Sequence, residues 1–406
     1  MDVYLSMFGP VAHGESPDTT AQKLSESGAN TLLFFTSLYH SYRLLQPRYP
    51  QRAIYSLETD RLFFPPDPAF YKESPLKPEM SRDFPDSRYF SRLIDACHAR
   101  KISFSALVPM CAGDRLAPAF PELTVENLYG AHDRMFFCYN NPGVRAYRFA
   151  MIRDLLTHFP VDRLTLDKIP QTMLEQYSQT AIFDPPLRTV GSFCFCDSCR
   201  KAARKHDLDL DEVKARAREI AARSLHIPQH VITAQGEKLT GDTEIPLLLL
   251  EEPLLYRMLK FRMDTATELV REVRSIAAEL RPGIPLQVAF VPPSHPGHDM
   301  TAPRAWLTVQ SYKLYAPVVD EILAVVHFGP DVVRFETERA VAAVEGKTRV
   351  ISSMRLYGAT RPEEVPVLAE QALAGGSQGV SFLGYDVTTD ELLAALGSWA
   401  RNRRRG

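Results

Sequence analysis

The sequence predicts a (β/α)8 TIM barrel, a closed ring of eight parallel strands in which each strand is followed by a helix. Short apolar runs alternate with longer amphipathic patterns along the chain, which is typical of a parallel sheet with crossover helices. Eight such pairs are present, and no ninth pair remains for an open, doubly wound sheet. The chain has 406 residues, a length that α/β barrels often reach as a single unit.

The predicted strands are short runs rich in apolar, β-branched and aromatic side chains. The first has the sequence DVYLSMFG and the fourth has the sequence DRLTLD. In chain order they occupy residues 2–9, 30–37, 102–110, 162–167, 285–291, 321–328, 349–354 and 379–385.

The predicted helices carry apolar residues at three- and four-residue steps, as a helix with one buried face requires. The longest repeats this spacing from Leu255 through Leu259 to Ile276. The first ends at Gly28, and glycine commonly terminates helices. In chain order they occupy residues 18–28, 87–101, 141–159, 254–280, 303–316, 338–346, 361–376 and 388–401.

One catalytic domain is expected to span residues 1–406, with two long connections at the rim where such barrels place their active sites. They are residues 38–86 after the second strand and about 168–246 after the fourth. Connections well beyond about 15 residues are usually functional or disordered. The first is dense in aromatic, arginine and proline residues, which favours an ordered wall of a cleft.

Composition excludes some classes of function. The formal net charge of −2 gives no basic surface for nucleic acid. No apolar run reaches the roughly 18 residues of a membrane span, and no targeting segment is recognised. We therefore expect a cytoplasmic protein with reduced thiols and no membrane partner, for which assembly as a homo-oligomer stays open.

Three of the six cysteines lie in the segment CFCDSC, as Cys194, Cys196 and Cys199. This C-x-C-x-x-C spacing offers three thiolates to one tetrahedral ion, and a fourth ligand has to come from the same rim. Cys111 and Cys138 both qualify, and Cys138 is favoured because it directly precedes the third helix. Zinc is the expected ion, and the other interpretations are small buried apolar side chains or a redox pair.

The segment FCYNNPGVRAYRFAMIRDLLTHFPVDRLTLD, followed by CFCDSC, resembles barrel glycoside hydrolases. It resembles in particular the family-10-like glycosyl hydrolases, in which a Cys-x-Asn-x-Pro segment opens helix three and an Asp ends strand four. The later segments AWLTVQSYKLYAPVVDEILAVVHFG and AGGSQGVSFLGYD resemble the strand-six and strand-eight regions of that group. The cysteine pattern also resembles the zinc cluster of family 42 beta-galactosidases. This second resemblance implies a structural zinc ion on Cys138, Cys194, Cys196 and Cys199.

The resemblance implies a glycosidase that hydrolyses O-glycosyl bonds of an oligosaccharide or glycoside. Such enzymes use two carboxyl groups, about 5–5.5 Å apart in retaining enzymes and about 6.5–9.5 Å apart in inverting ones. Asp167 is the first candidate because it ends the fourth strand, and Lys168 beside it favours the ionised form. An ionised Asp167 would act as nucleophile or base. The candidates for its catalytic partner are Asp114, Asp331, Glu336, Glu338 and Asp386.

Polar and aromatic residues at other strand ends are expected to bind the sugar. Aromatic faces and guanidinium groups suit a sugar ring, and four such residues follow the second strand. Histidines in the segment PPSHPGHD offer substrate contacts or, as an alternative, a second metal site. The predicted substrate-binding residues are Tyr39, His40, Tyr42, Arg43, Lys168, His298, His327 and Arg355.

Strand seven differs from family 42, whose nucleophile is a glutamate at the end of that strand. Here the strand ends SSMRLYGAT, which presents Arg355 and Tyr357 and no acid. The family 42 mechanism therefore does not carry over unchanged. Arg355 would either bind an anionic group of the substrate or pair with Asp386. The alternative function is a non-hydrolytic sugar-binding barrel, or a carbohydrate lyase or isomerase that uses the histidines and Lys168.

Overall fold

A closed barrel of eight parallel strands forms the centre of the computed structural model, which confirms the predicted fold class. The eighth strand closes the ring beside the first, with Val380 opposite Val3. In chain order the strands are β1 (Asp2–Met7), β2 (Thr31–Phe35), β3 (Ser103–Pro109), β4 (Arg163–Asp167), β5 (Leu286–Phe290), β6 (Glu321–Val325), β7 (Arg349–Arg355) and β8 (Gly379–Leu383). The structure describes residues 1–9, 14–39, 43–45, 47–48, 54–84, 86–169, 185–225, 244–290, 310–327, 329–358 and 360–405.

Twelve α-helices are present in the described part of the chain. They are α1 (Pro17–Glu26), α2 (Tyr89–Ala99), α3 (Pro142–His158), α4 (Pro185–Gly191), α5 (Asp197–Arg204), α6 (Leu210–Leu225), α7 (Glu244–Glu251), α8 (Pro253–Leu280), α9 (Tyr312–Tyr315), α10 (Pro330–Val344), α11 (Glu364–Ala374) and α12 (Asp390–Arg405). Helices α4 to α7 belong to the long segment between the end of β4 and the start of α8, which we call the excursion after β4. For this segment the sequence predicts only a cysteine-bearing connection. Within the described residues, none of the helices is both long and apolar enough to cross a membrane.

Two predicted helices differ from the observed ones. Helix α10 begins at Pro330 rather than at residue 338. Proline suits the first helical position, where its missing N–H removes no hydrogen bond. The valines that follow have low helix propensity, which hides this start in the sequence. The predicted helix 303–316 is helical only over Tyr312–Tyr315, and residues 303–309 lie outside the described residues.

The inside of the barrel is polar at the end where the strands begin. The buried carboxylate of Glu321 accepts hydrogen bonds from Tyr4 Oη at 2.8 Å and from Gln287 Nε2 at 3.1 Å. Arg163 and Arg349 each donate to its other oxygen at 2.6 Å. Four donors therefore saturate one buried carboxylate between the strands.

The register of these strands also decides which side chains reach the open end of the barrel. Successive side chains of a strand point to opposite faces, so residues two positions apart share a face. Arg163 of β4 and Arg349 of β7 both point inward, as their bonds to Glu321 show. Asp167 lies four positions after Arg163 on β4, and Arg355 lies six positions after Arg349 on β7. Both side chains therefore lie on the inward face, at the rim where the strands end.

Aromatic side chains hold the described part of the connection after β2 against the barrel wall. Phe34 of β2 lies at the centre of this cluster, and its ring centroid is 5.4–6.4 Å from those of four other phenylalanines. The connection contributes Phe63 and Phe84, α2 contributes Phe90, and β3 contributes Phe104. All five rings are buried, so this part of the connection packs on α2 as well as on the barrel.

Candidate active site and metal centre

The four predicted metal ligands lie together in the structure. The Sγ atoms of Cys138, Cys194, Cys196 and Cys199 are all within 4.8 Å of one another, and the four residues are buried. Cys138 Sγ is 3.4 Å from Cys199 Sγ and 3.5 Å from Cys196 Sγ. Bonds of about 2.3 Å to a central zinc ion give sulfur–sulfur edges of about 3.8 Å in a tetrahedron. This spacing and the four-thiol donor set are compatible with one bound metal ion.

Cys138 reaches the cluster from the segment between β3 and α3. The strands Thr124–Glu126 and His132–Phe137 form an antiparallel pair, and Cys138 follows directly. Helix α3 then begins with Asn141 as its cap, since the Asn141 side chain accepts a hydrogen bond from Gly143 N at 2.9 Å. The cysteine is therefore fixed between a hairpin and a capped helix.

The other three thiols are presented around the start of α5. Cys196 is the N-cap residue of α5 and Cys199 lies in its first turn, where the helix dipole favours negative charge. Hydrogen bonds from Cys138 and the other thiols lower the pKa of Cys196, whereas burial raises the pKa of Cys138. Asn140 Nδ2 lies 3.4 Å from Cys199 Sγ, within reach of a hydrogen bond to the sulfur. Such outer contacts are typical of metal sites.

Cys111, the other candidate for a fourth ligand, is not part of this cluster. It lies just after β3, where its N–H donates to Lys168 O at 2.9 Å and its carbonyl accepts from Phe137 N at 2.7 Å. Burial raises the pKa of its thiol to about 12. Cys111 is therefore a packed, protonated side chain at the end of the strand.

Asp167 ends β4 with a half-buried side chain on the inward face. Its Oδ1 accepts a hydrogen bond from Lys168 N at 2.7 Å. Lys168 has a φ of 52°, which is uncommon for a residue with a side chain. Its ammonium nitrogen lies 5.0 Å from the ring centroid of Tyr39, within cation–π range. The chain therefore bends sharply after β4, and the lysine lies against the segment after β2.

The predicted sugar-binding residues after β2 are described only in part. Tyr39 is buried beside Lys168. His40 and Tyr42 lie outside the described residues, and Arg43 is described only as the first residue of the short strand Arg43–Leu45. That this segment contacts a sugar stays a prediction.

Asp386 lies three residues after the end of β8, in the short 3-10 helix Tyr385–Val387. Its carboxyl group is fully buried and accepts hydrogen bonds from Phe8 N at 2.5 Å and Gly9 N at 3.2 Å. Burial raises its pKa to about 7, although these bonds act in the opposite direction. Asp386 therefore joins the ends of β8 and β1, and it is not engaged in an ion pair with Arg355.

Two other candidate acids lie on the body of α10 rather than at a strand end. Glu336 is fully buried, with Oε1 3.3 Å from Arg339 Nη1 and with no hydrogen-bond partner for Oε2 among the described residues. Glu338 is exposed and pairs with Arg334 at 2.8 Å. The early start of α10 explains both positions, because the helix has already turned once or twice when it reaches them.

The remaining candidates lie close to strand ends. Asp331 is exposed in the first turn of α10, and Asp114 follows β3, where its N–H donates to Tyr39 O at 2.9 Å. His327 is partly exposed just beyond β6, and Arg355 is the exposed last residue of β7. Residues 295, 298 and 299, and with them His298, lie outside the described residues.

Glu15, a buried carboxylate beside the rim, is not predicted from the sequence. It precedes α1 and accepts hydrogen bonds from Tyr385 Oη at 2.6 Å and Lys23 Nζ at 2.8 Å. Arg48 Nη2 is 3.9 Å away. No local pattern marks this glutamate, because Tyr385 and Arg48 come from distant segments of the chain.

Asp60 is a second buried carboxyl group that the sequence does not reveal. It lies in the connection after β2, with a φ of 55°, and accepts hydrogen bonds from Arg115 N at 2.8 Å and Leu116 N at 2.9 Å. Burial raises its pKa to about 6. Asp60 therefore ties the connection after β2 to the one after β3.

Several solved structures share this barrel. The alpha-L-fucosidase isoenzyme 2 from Paenibacillus thiaminolyticus is 11% identical, with a TM-score of 0.57, and the match covers 99% of this chain and 49% of that one. The beta-galactosidase from Bacillus circulans sp. alkalophilus is 11% identical, with a TM-score of 0.58 and coverage of 100% and 56%. The PgaB (BpsB) glycoside hydrolase domain from Bordetella bronchiseptica is 12% identical, with a TM-score of 0.54 and coverage of 99% and 97%.

The chain spans about half the length of the first two proteins and nearly all of the third. At these identities the likeness concerns the fold. No protein-family model matches the sequence, and no curated protein matches it. The barrel architecture expected from the resemblance to glycoside hydrolases is therefore shown, whereas membership of the family-10-like group stays an expectation.

Proposed function

We propose that this chain is a glycoside hydrolase that cleaves an O-glycosyl bond of an oligosaccharide or glycoside. The proposal depends above all on Asp167, a half-buried carboxylate on the inward face of β4 at the end of the strand. Enzymes with this fold hold their catalytic groups at such strand ends. The fold neighbours, which are a fucosidase, a galactosidase and a glycoside hydrolase domain, support a carbohydrate substrate.

In this proposal Asp167 is the nucleophile or base, and Asp386 is its preferred partner. A general acid has to keep a proton near neutral pH, and burial raises the pKa of Asp386 to about 7. Because that carboxyl group is fully buried, proton donation requires the ends of β1 and β8 to separate. Glu336 and Glu338 rank behind Asp386 because both lie on the body of α10.

We also propose that Cys138, Cys194, Cys196 and Cys199 hold a structural Zn²⁺ ion. Four thiolate ligands leave no position for a metal-bound water, so the ion would not supply the nucleophile of hydrolysis. It would fix the excursion after β4 against the segment between β3 and α3. None of the six cysteines forms a disulfide, in keeping with a proposed location in the reducing cytoplasm.

The test is a screen of aryl glycosides, including uronides, with the wild type and the Asp167→Asn variant. Asparagine keeps the shape and removes the charge, so we expect a folded variant whose rate falls by about 10³-fold or more. Asp162→Asn is the matched control, because Asp162 lies just before β4 at the opposite end of the barrel. Near-wild-type turnover by Asp167→Asn would exclude Asp167 as the nucleophile or base. Asp386, Glu336 and Glu338 would then be the candidates for the catalytic carboxylates.

A non-hydrolytic sugar-binding barrel, or a lyase or isomerase, is the second candidate function. The complete burial of Asp386 favours it, because Asp167 then lacks access to the carboxyl group that the hydrolase proposal prefers as its partner. Calorimetric binding of the same glycosides without release of the aryl group would decide for the sugar-binding barrel.

A further inference from the structure

Arg355 lies at the open end of the barrel on the same inward face as Arg349. Arg349 is the first residue of β7 and Arg355 is the last, six positions further on. Because side chains alternate between the two faces of a strand, both point to the same face. Arg349 points into the barrel, where it donates to Glu321. The side chain of Arg355 is exposed and directed toward the mouth, which it shares with Asp167 of β4.

Arg355 has no carboxylate partner among the described residues, in contrast to Arg349 at the other end of β7. Arg349 on the same strand pairs with both Glu321 and Asp2. Asp386, which the sequence offers as a counter-ion for Arg355, is instead bonded to the backbone N–H groups after β1. Within the described part of the chain, no carboxylate therefore competes with an external anion for the guanidinium group of Arg355.

The backbone around Arg355 is hydrogen-bonded, and an aromatic ring lies nearby. Thr360 Oγ1 donates to the Arg355 carbonyl at 3.4 Å, and Leu356 N donates to Leu383 O at 3.0 Å, which extends the pairing with β8. The ring of Tyr357 packs on Gly384, where an added Cβ would come within 2.5 Å of the ring. The rim thus presents a positive charge next to a fixed, partly exposed aromatic side chain.

We propose that Arg355 binds the carboxylate of an acidic sugar, so that the substrate class is a glycoside containing a uronic acid. This inference rests on the proposed function, whose substrate class it specifies. The planar guanidinium group matches a carboxylate with two parallel hydrogen bonds, which a neutral sugar hydroxyl cannot form. An aromatic face beside it suits the apolar side of a sugar ring.

The test compares matched pairs of 4-nitrophenyl glycosides in both anomeric forms: glucuronide with glucoside, and galacturonide with galactoside. We expect the wild type to prefer the uronides in kcat/KM. The Arg355→Gln variant should lose about 10- to 100-fold on uronides, as expected for a charge-assisted hydrogen bond, and less than about 3-fold on neutral glycosides. Arg355→Lys keeps the positive charge but not the two parallel donors, so its kcat/KM on uronides should lie between those of the wild type and Arg355→Gln.

Arg361→Gln is the matched control for a general loss of positive charge at the rim. Arg361 follows β7 as well, but it already pairs with Glu364 at 3.0 Å. Arg361→Gln should leave kcat/KM unchanged on both uronides and neutral glycosides. Equal effects of Arg355→Gln on uronides and neutral glycosides would overturn the inference, and so would a preference for 4-nitrophenyl sugars bearing a sulfate.

Binding measurements separate a failure of this inference from a failure of the proposed hydrolase. Hydrolysis of neutral glycosides with no dependence on Arg355 would keep the hydrolase and overturn the acidic substrate. Arg355-dependent calorimetric binding of glucuronate over glucose, with no turnover of any glycoside, would keep the anion site and overturn the hydrolase.

Discussion

Asp386 shows at the scale of one residue how burial sets a pH dependence. Its carboxyl group is fully buried, and its pKa is raised from 3.8 to about 7. Because the folded state then binds the proton more tightly than the unfolded chain, the contribution to stability is largest below pH 4. It is lost progressively as the pH rises from about 4 to about 7.

We predict that Asp386→Asn removes this loss. Relative to the wild type, the free energy of unfolding of the variant should rise by about 2.5 kcal/mol between pH 5 and pH 8, since one pKa unit corresponds to about 1.4 kcal/mol. Urea unfolding at the two pH values measures it. Asp331→Asn, on the exposed first turn of α10, is the control and should follow the wild type. Parallel curves for Asp386→Asn and the wild type would contradict the raised pKa.

At the scale of elements, the cysteine cluster connects two segments that the barrel alone does not join. Cys138 precedes α3, whereas Cys196 and Cys199 belong to the start of α5. A proposed zinc ion there would link the segment after β3 to the excursion after β4. Since metal sites of this kind form only in the folded chain, binding free energy adds to folding stability.

We predict that Cys196→Ser loses zinc and stability together. Elemental analysis of protein purified without chelator should give about one zinc per wild-type chain and far less for the variant, with thermal unfolding at a lower temperature. Cys97→Ser is the control, because Cys97 is equally buried in α2 but lies outside the cluster. It should lower stability and leave the zinc content unchanged. A wild-type chain without stoichiometric zinc would rule out the assignment.

Sequence reasoning worked where the signal was local. The spacing of Cys194, Cys196 and Cys199 is a short-range pattern, and the end of β4 at Asp167 follows from one apolar run. It failed for Glu15 and Asp60, because their burial depends on partners from distant segments.

At the scale of the whole molecule, the strand order was predictable and the polar interior was not. Alternation of eight strand and helix patterns is enough to predict a closed barrel, since no strand is left over. The group around Glu321 takes one side chain from each of five strands. No single strand reveals that its charged residue has partners across the barrel.

The last prediction concerns this group. Glu321→Leu would leave Arg163 and Arg349 without their shared carboxylate and Tyr4 without its acceptor. Breaking a buried ion pair by removing one partner costs about 3–5 kcal/mol, and the partial exposure of the two arginines places our expectation near the lower end. Denaturant unfolding at neutral pH measures the loss, which should persist in high salt because the carboxylate is buried.

Glu321→Gln separates charge from shape in the same experiment. Glutamine keeps an acceptor for Tyr4 but removes the charge shared by the two arginines. The free energy of unfolding of Glu321→Gln should therefore lie between those of Glu321→Leu and the wild type. Glu345→Gln is the control, because Glu345 pairs with Lys347 at the surface at 2.5 Å and exposed pairs contribute little. Wild-type stability in Glu321→Leu would mean that the arginines find water or other partners when the carboxylate is gone. The start of the barrel would then be held by its strands and apolar contacts alone.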